Sequence, residues 1–213
     1  TLHQLPIANK ERVIIVGAGI GGLAASLRLS HMGYNVKVFE TAQTGGGKLR
    51  TITGQTGEID IGPTVLTLLP VFQNLFKSVG EDIFEPVELV RQKIIARHWW
   101  PDGETLDLYD DFETSRDAIL NFSGSDSAKE FEKYFYDTRD LFSCFDIPVM
   151  RNPNPSMLDM NRAVLNNPKI LFKMHPLRTL SSLLNYKFRD SRLQQLFGRY
   201  STYVGCSPLE SPA

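Results

Sequence analysis

The stretch from Val13 to Glu40, VIIVGAGIGGLAASLRLSHMGYNVKVFE, decides how the rest of the chain is read. Val13–Val16 is a short apolar run ending in glycine, the pattern of a buried parallel strand. Residues 20–32 carry Leu23, Leu27 and Leu29 among alanines and predict a helix, which Gly33 ends. Residues 35–40 alternate again and predict a second strand, completing a βαβ unit with a right-handed crossover. Directly after the first strand, Gly17, Gly19 and Gly22 form G-x-G-x-x-G, with Val16, Ile20 and Gly21 in the same turn. Gly17 permits the tight turn, Gly19 lets the backbone approach a pyrophosphate, and Gly22 lets helix and strand come close. The helix start offers unpaired N–H groups and the positive end of a dipole to that pyrophosphate. Glu40 closes the second strand, where a carboxylate accepts hydrogen bonds from ribose hydroxyls and repels a 2′-phosphate. The stretch reads as a site for an adenine dinucleotide, but alone it does not choose between a nicotinamide and a flavin.

Two further loops make that choice. TGGGKLRT, residues 44–51, carries Gly46 and Gly47, which allow backbone close to a large ligand, and Lys48, which brings a positive charge towards phosphate or ribose. IDIGPTVLT, residues 59–67, carries the turn Gly62-Pro63-Thr64, followed by Val65, whose backbone N–H groups can point into the same cleft. A nicotinamide site has no need of these loops. A longer dinucleotide buried along its whole length does, so the expected cofactor is FAD.

Beyond this unit the pattern changes. Residues 41–64 read as loop and 69–80 as a helix with Val71, Leu75, Phe76 and Val79 on one face. VELVRQKIIARHWWPDGETLDLYDD predicts two or three antiparallel strands, with the Asp-Gly of PDGE at the turn. Helices are expected at 113–121 and 127–143, and then across 156–198 with breaks at Pro168 and Pro176; Asn152–Pro155 marks a boundary. The expected class is α/β: a Rossmann-type unit over residues 1–80, then a substrate region over 81–213 made of an antiparallel layer and helices. Too few parallel strands are present for a complete sheet. The chain has no initiating Met and stops at LESPA, and it reads as a fragment.

Composition excludes several classes. At 42% apolar and 22% charged residues the chain is an ordinary globular protein. Two cysteines make no disulfide framework, and four scattered histidines make no metal site. The polar start has no leader pattern, and Arg28 interrupts the one long apolar run, so no membrane span is expected. Charge is uneven: residues 81–140 hold 16 acidic and 7 basic residues, while 151–213 hold 9 basic and 3 acidic. Either these are solvated faces or the basic segment meets an anionic membrane surface. No nucleic-acid motif accompanies the charge.

Gly17-x-Gly19-x-x-Gly22, Glu40, Gly46-Gly47-Lys48 and Gly62-Pro63-Thr64 resemble the FAD-binding half of the carotenoid desaturases, relatives of the flavin amine oxidases. GPTVLTLLPVFQNLF, ARHWWPDGETLDLY and LFGRYSTYVGCSPLESPA look most like the branch acting on hydroxylated or methoxylated carotenoids, the hydroxyneurosporene and methoxyneurosporene dehydrogenases or 1-hydroxycarotenoid 3,4-desaturases. One departure is Thr44, where the family often has Pro. Another is the absence of a C-terminal half, where the family closes its FAD site with a further Gly-rich motif.

The resemblance implies a C–C desaturation that extends a polyene, with the protein positioning a long apolar chain beside the flavin. A C40 lipid substrate implies peripheral contact with a bilayer from the cytoplasmic side, through the basic segment and LFSCFDIPVM at 141–150. The resemblance specifies neither the electron acceptor nor the oligomeric state. Asp159 and Arg162, at i and i+3 on a helix, are either a proton-handling couple or a plain surface ion pair. Core packing is expected for Tyr200, Tyr203 and Cys206. Trp99 and Trp100 either lie at a membrane interface or divide between packing and covering the hairpin core. Three alternatives stand beside this reading: a phytoene desaturase, a flavin amine oxidase with a polar substrate, and a non-enzymatic prenyl-lipid escort protein of the same fold.

Overall fold

A computed structural model describes residues 11–63 and 66–213. The chain divides into two compact units, Thr1–Leu89 and Val90–Ala213.

In the first unit, strand β1 (Arg12–Val16) pairs in parallel with β2 (Asn35–Phe39), Ile15 opposite Val38, and helix α1 (Ile20–His31) makes the crossover. Gly33 stops α1 as expected. It takes φ 91°, its N–H donates to the Ser30 carbonyl at 2.9 Å, and the Tyr34 N–H donates to the Leu29 carbonyl at 3.1 Å. These two bonds satisfy carbonyls that the helix end would leave open. The expectation of a buried β1 is corrected. Val13 and Ile15 are half-buried on the face that α1 packs against, but Ile14 is 59% and Val16 85% exposed on the other. A strand is buried only when both faces are covered.

The expectation of a loop over 41–64 is also corrected. Strands β3 (Thr51–Gly54) and β4 (Gly57–Asp60) form an antiparallel hairpin around Gln55-Thr56. Its glycines flank the two-residue turn rather than occupy it, so the usual Asn-Gly or Asp-Gly signal is missing. Helix α2 (Leu69–Lys77) has Pro70 in its first turn, where a missing N–H costs nothing. It leads into buried Val79 and Ile83; Leu75 and Phe76 are half-buried, while Val71, expected on the same face, is exposed.

In the second unit, β5 (Ile94–Trp99) and β6 (Thr105–Tyr109) make a two-stranded antiparallel hairpin. Its turn is the expected one. Gly103, at φ 88°, donates to the Trp100 carbonyl, and the Trp100 N–H donates to the Glu104 carbonyl, both at 3.0 Å. Pro101 presets the turn and Gly103 takes the left-handed position. Helix α3 (Phe112–Phe145) starts at Asp111, whose carboxylate accepts from the Thr114 N–H at 2.8 Å, and breaks at Gly124 (φ 86°, ψ 177°). The two expected helices are its two limbs. A π-helical turn (Asp146–Met150) follows, then α4 (Met157–Asn166), α5 (Ile170–Met174), α6 (Leu180–Lys187), α7 (Ser191–Gly198) and a 3-10 turn (Arg199–Val204). Pro168 and Pro176 fall at the two breaks around α5.

One core joins these elements: Leu106 and Leu108 from β6, Ile119 and Phe131 from α3, and Leu184, Phe188, Leu193, Leu196 and Phe197 from the α6–α7 region. Phe197 stacks on Phe188 at 5.0 Å and on Phe131 at 5.9 Å. The tryptophans divide: Trp100 packs on Phe122 and donates its indole N–H to Gln195 Oε1 at 3.2 Å, whereas Trp99 is 69% exposed. Tyr200 and Tyr203 do not pack in the core. They stack on each other at 5.9 Å with both rings exposed, and Cys206 is exposed too, because the 3-10 turn follows the last core helix at the surface.

Candidate dinucleotide site

Three loops of the first unit nest together, and each is held by contacts only glycine allows. The Gly17 N–H donates to the Phe39 carbonyl at 2.7 Å, tying the turn after β1 to the end of β2. Gly17 has φ 98°, a left-handed region that side chains avoid. A Cβ at Gly22 would collide with the Gly17 carbonyl oxygen and lie 3.3 Å from Ile15, so close packing of α1 on β1 requires the third glycine. The second loop docks on the first: the Gly46 N–H donates to the Ala18 carbonyl at 2.8 Å, and a Cβ on Gly47 would lie 2.9 Å from the Gly19 Cα. The third loop docks on the second, since a Cβ at Gly62 would collide with the Lys48 carbonyl oxygen.

The first turn of α1 is left free. Gly19 caps the helix without any side-chain bond, and the first turn holds no acidic residue. Among the described residues the opening N–H groups of α1 have no side-chain partner, and no acidic residue of the first turn offsets the dipole there. Beside the nested loops a pocket of about 390 Å³ is lined by residues that include Gly45, Gly47, Arg50, Asp60, Gly62 and Pro63.

Glu40 stands one residue beyond β2. Its Oε2 accepts from the Ala18 N–H at 2.7 Å, and its Oε1 accepts from the N–H groups of Thr41 (2.8 Å) and Ala42 (3.0 Å) and from the Thr41 hydroxyl (3.2 Å). The backbone N–H groups of Ala42 and Ala18, helped by Thr41, hold this carboxyl down to about 2, so it is charged at any working pH. Oε2 makes one bond of the two it can accept, which leaves a lone pair for a ribose hydroxyl.

Val16, Gly17, Gly19, Ile20, Gly21, Gly22, Glu40, Gly46, Gly47, Gly62 and Pro63 thus lie along one continuous set of loops. Thr64 and Val65 lie outside the described residues. Lys48 is exposed and is not part of the pocket lining. The cation that lines the pocket is Arg50, whose Nε donates to the Gly47 carbonyl at 2.8 Å. Sequence reasoning passed over Arg50 because it lies outside the Gly-Gly-Lys motif. The signal was its position at the mouth of a hairpin that was read as loop.

Asp159 and Arg162 lie in the other unit. Asp159 is the third residue of α4 and forms a capping box: Oδ2 accepts from the Ser156 hydroxyl (2.6 Å) and N–H (3.0 Å), while the Ser156 hydroxyl accepts from the Asp159 N–H (3.2 Å). Those bonds lower its pKa, the Ser156 hydroxyl first. Arg162 is exposed, and no ion pair joins the two among the described residues. The same unit holds a pocket of about 520 Å³, lined among others by Ser181, Asn185, Gln194, Gln195, Arg199 and Thr202.

Fold and site together define a dinucleotide-binding α/β protein: residues 15–81 match the model of the NAD(P)-binding Rossmann-like domain. Over nearly its whole length the chain is also homologous to carotenoid desaturases. It is 41% identical over 201 residues to the hydroxyneurosporene desaturase of Cereibacter sphaeroides, covering 94% of this chain and 41% of that one. It is 39% identical over 205 residues to the hydroxyneurosporene desaturase of Rhodobacter capsulatus, covering 96% and 42%. It is 30% identical over 210 residues to the 1-hydroxycarotenoid 3,4-desaturase of a Flavobacterium, covering 95% and 41%. The chain spans about two fifths of the length of these relatives.

Proposed function

We propose that this chain supplies the adenine-nucleotide half of an FAD site, in an oxidoreductase that desaturates a hydroxylated or methoxylated carotenoid at its 3,4 bond. The observation that carries the cofactor is the docking of three Gly-rich loops, Gly17–Gly22, Gly45–Lys48 and Gly62–Pro63, on one another beside Glu40. The free first turn of α1 would hold the pyrophosphate, Glu40 the adenosine ribose, and the Gly46–Lys48 and Gly62–Pro63 loops the remainder. An NAD site would use the first loop and Glu40 alone. What supports the substrate is the similarity to hydroxyneurosporene desaturases along the whole chain rather than along the nucleotide motifs only.

When bound, FAD would supply a hydride acceptor for an allylic carbon of the polyene. The chain's own residues bind and orient. Glu40 anchors one end of the cofactor, and the nested loops exclude water from its backbone contacts. The proton lost from the neighbouring carbon needs an acceptor, and Asp159 with Arg162 is the candidate couple; Asp159 must give up its Ser156 bonds to serve. Amides and hydroxyls line the pocket of the second unit, which suits an oxygenated carotenoid end better than a hydrocarbon one. A C40 lipid substrate places the protein at a membrane surface on its cytoplasmic side, and no helix among the described residues is long and apolar enough to cross one.

The test is anaerobic incubation of the full-length protein with 1-hydroxyneurosporene and with phytoene in lipid, followed by pigment spectra. Lengthening of the hydroxylated polyene is expected. Conversion of phytoene alone overturns the substrate, and a protein that copurifies with no flavin overturns the cofactor. Glu40→Ala is expected to weaken FAD binding about tenfold, since the charge-assisted hydrogen bond to the ribose is lost. Isothermal titration of the flavin-free protein reads this. Because Glu40 stays ionised down to about pH 2, that tenfold gap should be the same at pH 6 and pH 8.

A further inference from the structure

We infer that Arg199 is the residue that reads the oxygen of the substrate, a specificity determinant in the pocket of the second unit; this rests on the reading of the chain as a desaturase of oxygenated carotenoids. Arg199 ends α7, opens the 3-10 turn and lines that pocket of about 520 Å³. It is half-buried, and its Nε is shut off from solvent without a hydrogen-bond partner. No carboxylate pairs with its guanidinium among the described residues: both oxygens of Asp107 go to Arg97 at 2.6 Å, and Asp190 goes to Arg192 at 2.9 Å. The guanidinium lies over the exposed ring of Tyr200 at 5.1 Å, which offers a π face but no lone pair for a hydrogen bond. The negative end of the α7 dipole tolerates the charge, but the Gly198 and Arg199 carbonyls there are taken by the hydroxyls of Ser201 (3.0 Å) and Thr202 (2.6 Å). His98 supplies no counter-charge either; burial first, and then Arg199 itself, push its imidazole pKa down. A half-buried guanidinium without an acceptor is costly. A ligand that brings an oxygen removes that cost, and one that brings a methyl group does not.

The neighbouring side chains say what kind of oxygen fits. Gln195 Oε1 accepts from the Trp100 indole N–H at 3.2 Å, which leaves the Gln195 amide NH2 to donate. Gln194 gives its NH2 to the Phe188 carbonyl at 2.7 Å, which leaves its own Oε1 to accept. Leu184, Gly198 and Pro208 make the apolar part of the lining. The lining holds one cation and no acid, whereas a phosphate or other strong anion calls for several cations. Donors from Arg199 and Gln195 beside an apolar wall suit a neutral hydroxyl or ether oxygen on a hydrocarbon end. Arginine donates and never accepts, so it takes a methoxyl as well as a hydroxyl. The oxygen-bearing C1 stands two carbons from C3, so a side chain that holds the oxygen also sets which bond is presented for desaturation.

The test measures kcat/KM of the full-length protein for 1-hydroxyneurosporene and for neurosporene, the same polyene without the hydroxyl. Wild type should favour the hydroxylated polyene about 100-fold, because a donor that faces a methyl group is left unpaired. Arg199→Met keeps the apolar stem and removes the donors. It should lower that ratio about 30-fold, partly through faster turnover of neurosporene, a gain that misfolding cannot mimic. Arg199→Lys, which keeps a charged donor, should restore part of the ratio. Gly198→Ala is a second variant: its Cβ would stand 3.6 Å from Pro208 and 3.7 Å from Leu184, ordinary contacts, so α7 keeps its place while the pocket loses room. Its KM for the hydroxylated polyene should rise with the melting temperature unchanged or higher. The inference is overturned if Arg199→Met keeps the wild-type ratio. If that variant also lowers the melting temperature of the substrate-free protein, the partner of Arg199 is a carboxylate of the full-length chain and not the substrate. Wild type that converts neither polyene overturns the desaturase reading, whereas wild type and Arg199→Met that prefer the hydroxylated polyene equally overturn only the role of Arg199.

Discussion

Gly22→Ala in the full-length protein is expected to leave it almost without flavin. The added Cβ would meet the Gly17 carbonyl oxygen and the Ile15 side chain, and neither can swing aside. Gly17 is tied through its N–H to Phe39, and Ile15 belongs to β1. The start of α1 must therefore move away from β1, and it carries with it the free N–H groups that would face the pyrophosphate. Overpacking costs about 1–3 kcal/mol, and the upper end applies where the obstacle is backbone. With tenfold in affinity for each 1.4 kcal/mol, FAD binding should weaken about 100-fold. Gly21→Ala is the control one residue away. Nothing lies within 4 Å of its Cβ, its backbone is helical, and alanine favours the helix. It should retain flavin as wild type does. Flavin absorbance per protein after purification reads both. Equal loss in both variants would show that the ligand, rather than the packing of α1 on β1, sets the requirement for glycine.

The parts of this fold that were legible in the sequence are those where backbone geometry forces a residue type. Gly17, Gly33 and Gly103 each take a positive φ, and each announced its turn. Asp111 and Ser156 capped helices that the apolar spacing had already outlined. The misses share a different cause. The β3–β4 hairpin was read as loop because Thr51–Asp60 alternates weakly and its turn residues, Gln55 and Thr56, carry no conformational demand. The apolar run of β1 predicts burial, yet burial depends on what covers a strand, and Ile14 and Val16 are exposed. Tyr200 and Tyr203, expected in the core, lie stacked at the surface.

The candidate site divides along the same line. Each glycine of the three loops was legible, because each removes a Cβ that would collide or frees a turn. Arg50 was not, because a side chain's reach depends on the register of a hairpin that the sequence did not reveal. Asp159 shows the converse. Its spacing to Arg162 fits a functional couple, and its spacing to Ser156 fits a capping box equally well; in the structure the cap is formed. Spacing alone cannot separate the two, because i to i+3 serves both.

Asp137→Ala should be the most destabilising single change among the charged residues of the second unit, lowering stability by about 3 kcal/mol. Asp137, on α3, accepts from Lys187 of α6 at 2.7 Å and from Lys173 of α5 at 3.1 Å, so one carboxylate clamps three helices. Lys173 has a second partner in Asp140 at 2.7 Å, but among the described residues Lys187 has no second carboxylate, and only 9% of its side chain is open. Removing Asp137 would strand that ammonium in a poorly hydrated place, which costs about 3–5 kcal/mol for a fully buried pair. The lower end applies because Asp137 itself keeps some contact with water. Asp137→Leu with Lys187→Met should recover most of the loss, since it deletes both charges and leaves apolar volume. Burial pushes the Asp137 carboxyl up, but hydrogen bonds from Lys187 and Lys173 outweigh it and leave its pKa below the ordinary value. A carboxyl depressed in the folded state stabilises fully above its unfolded pKa of about 3.9 and stops doing so as pH falls through the lower folded value. Thermal melts of wild type and Asp137→Ala should therefore differ by about 10 °C at pH 7 and begin to converge as pH falls below about 4. If the gap persists unchanged at pH 3, packing of the aspartate rather than its charge holds the three helices together.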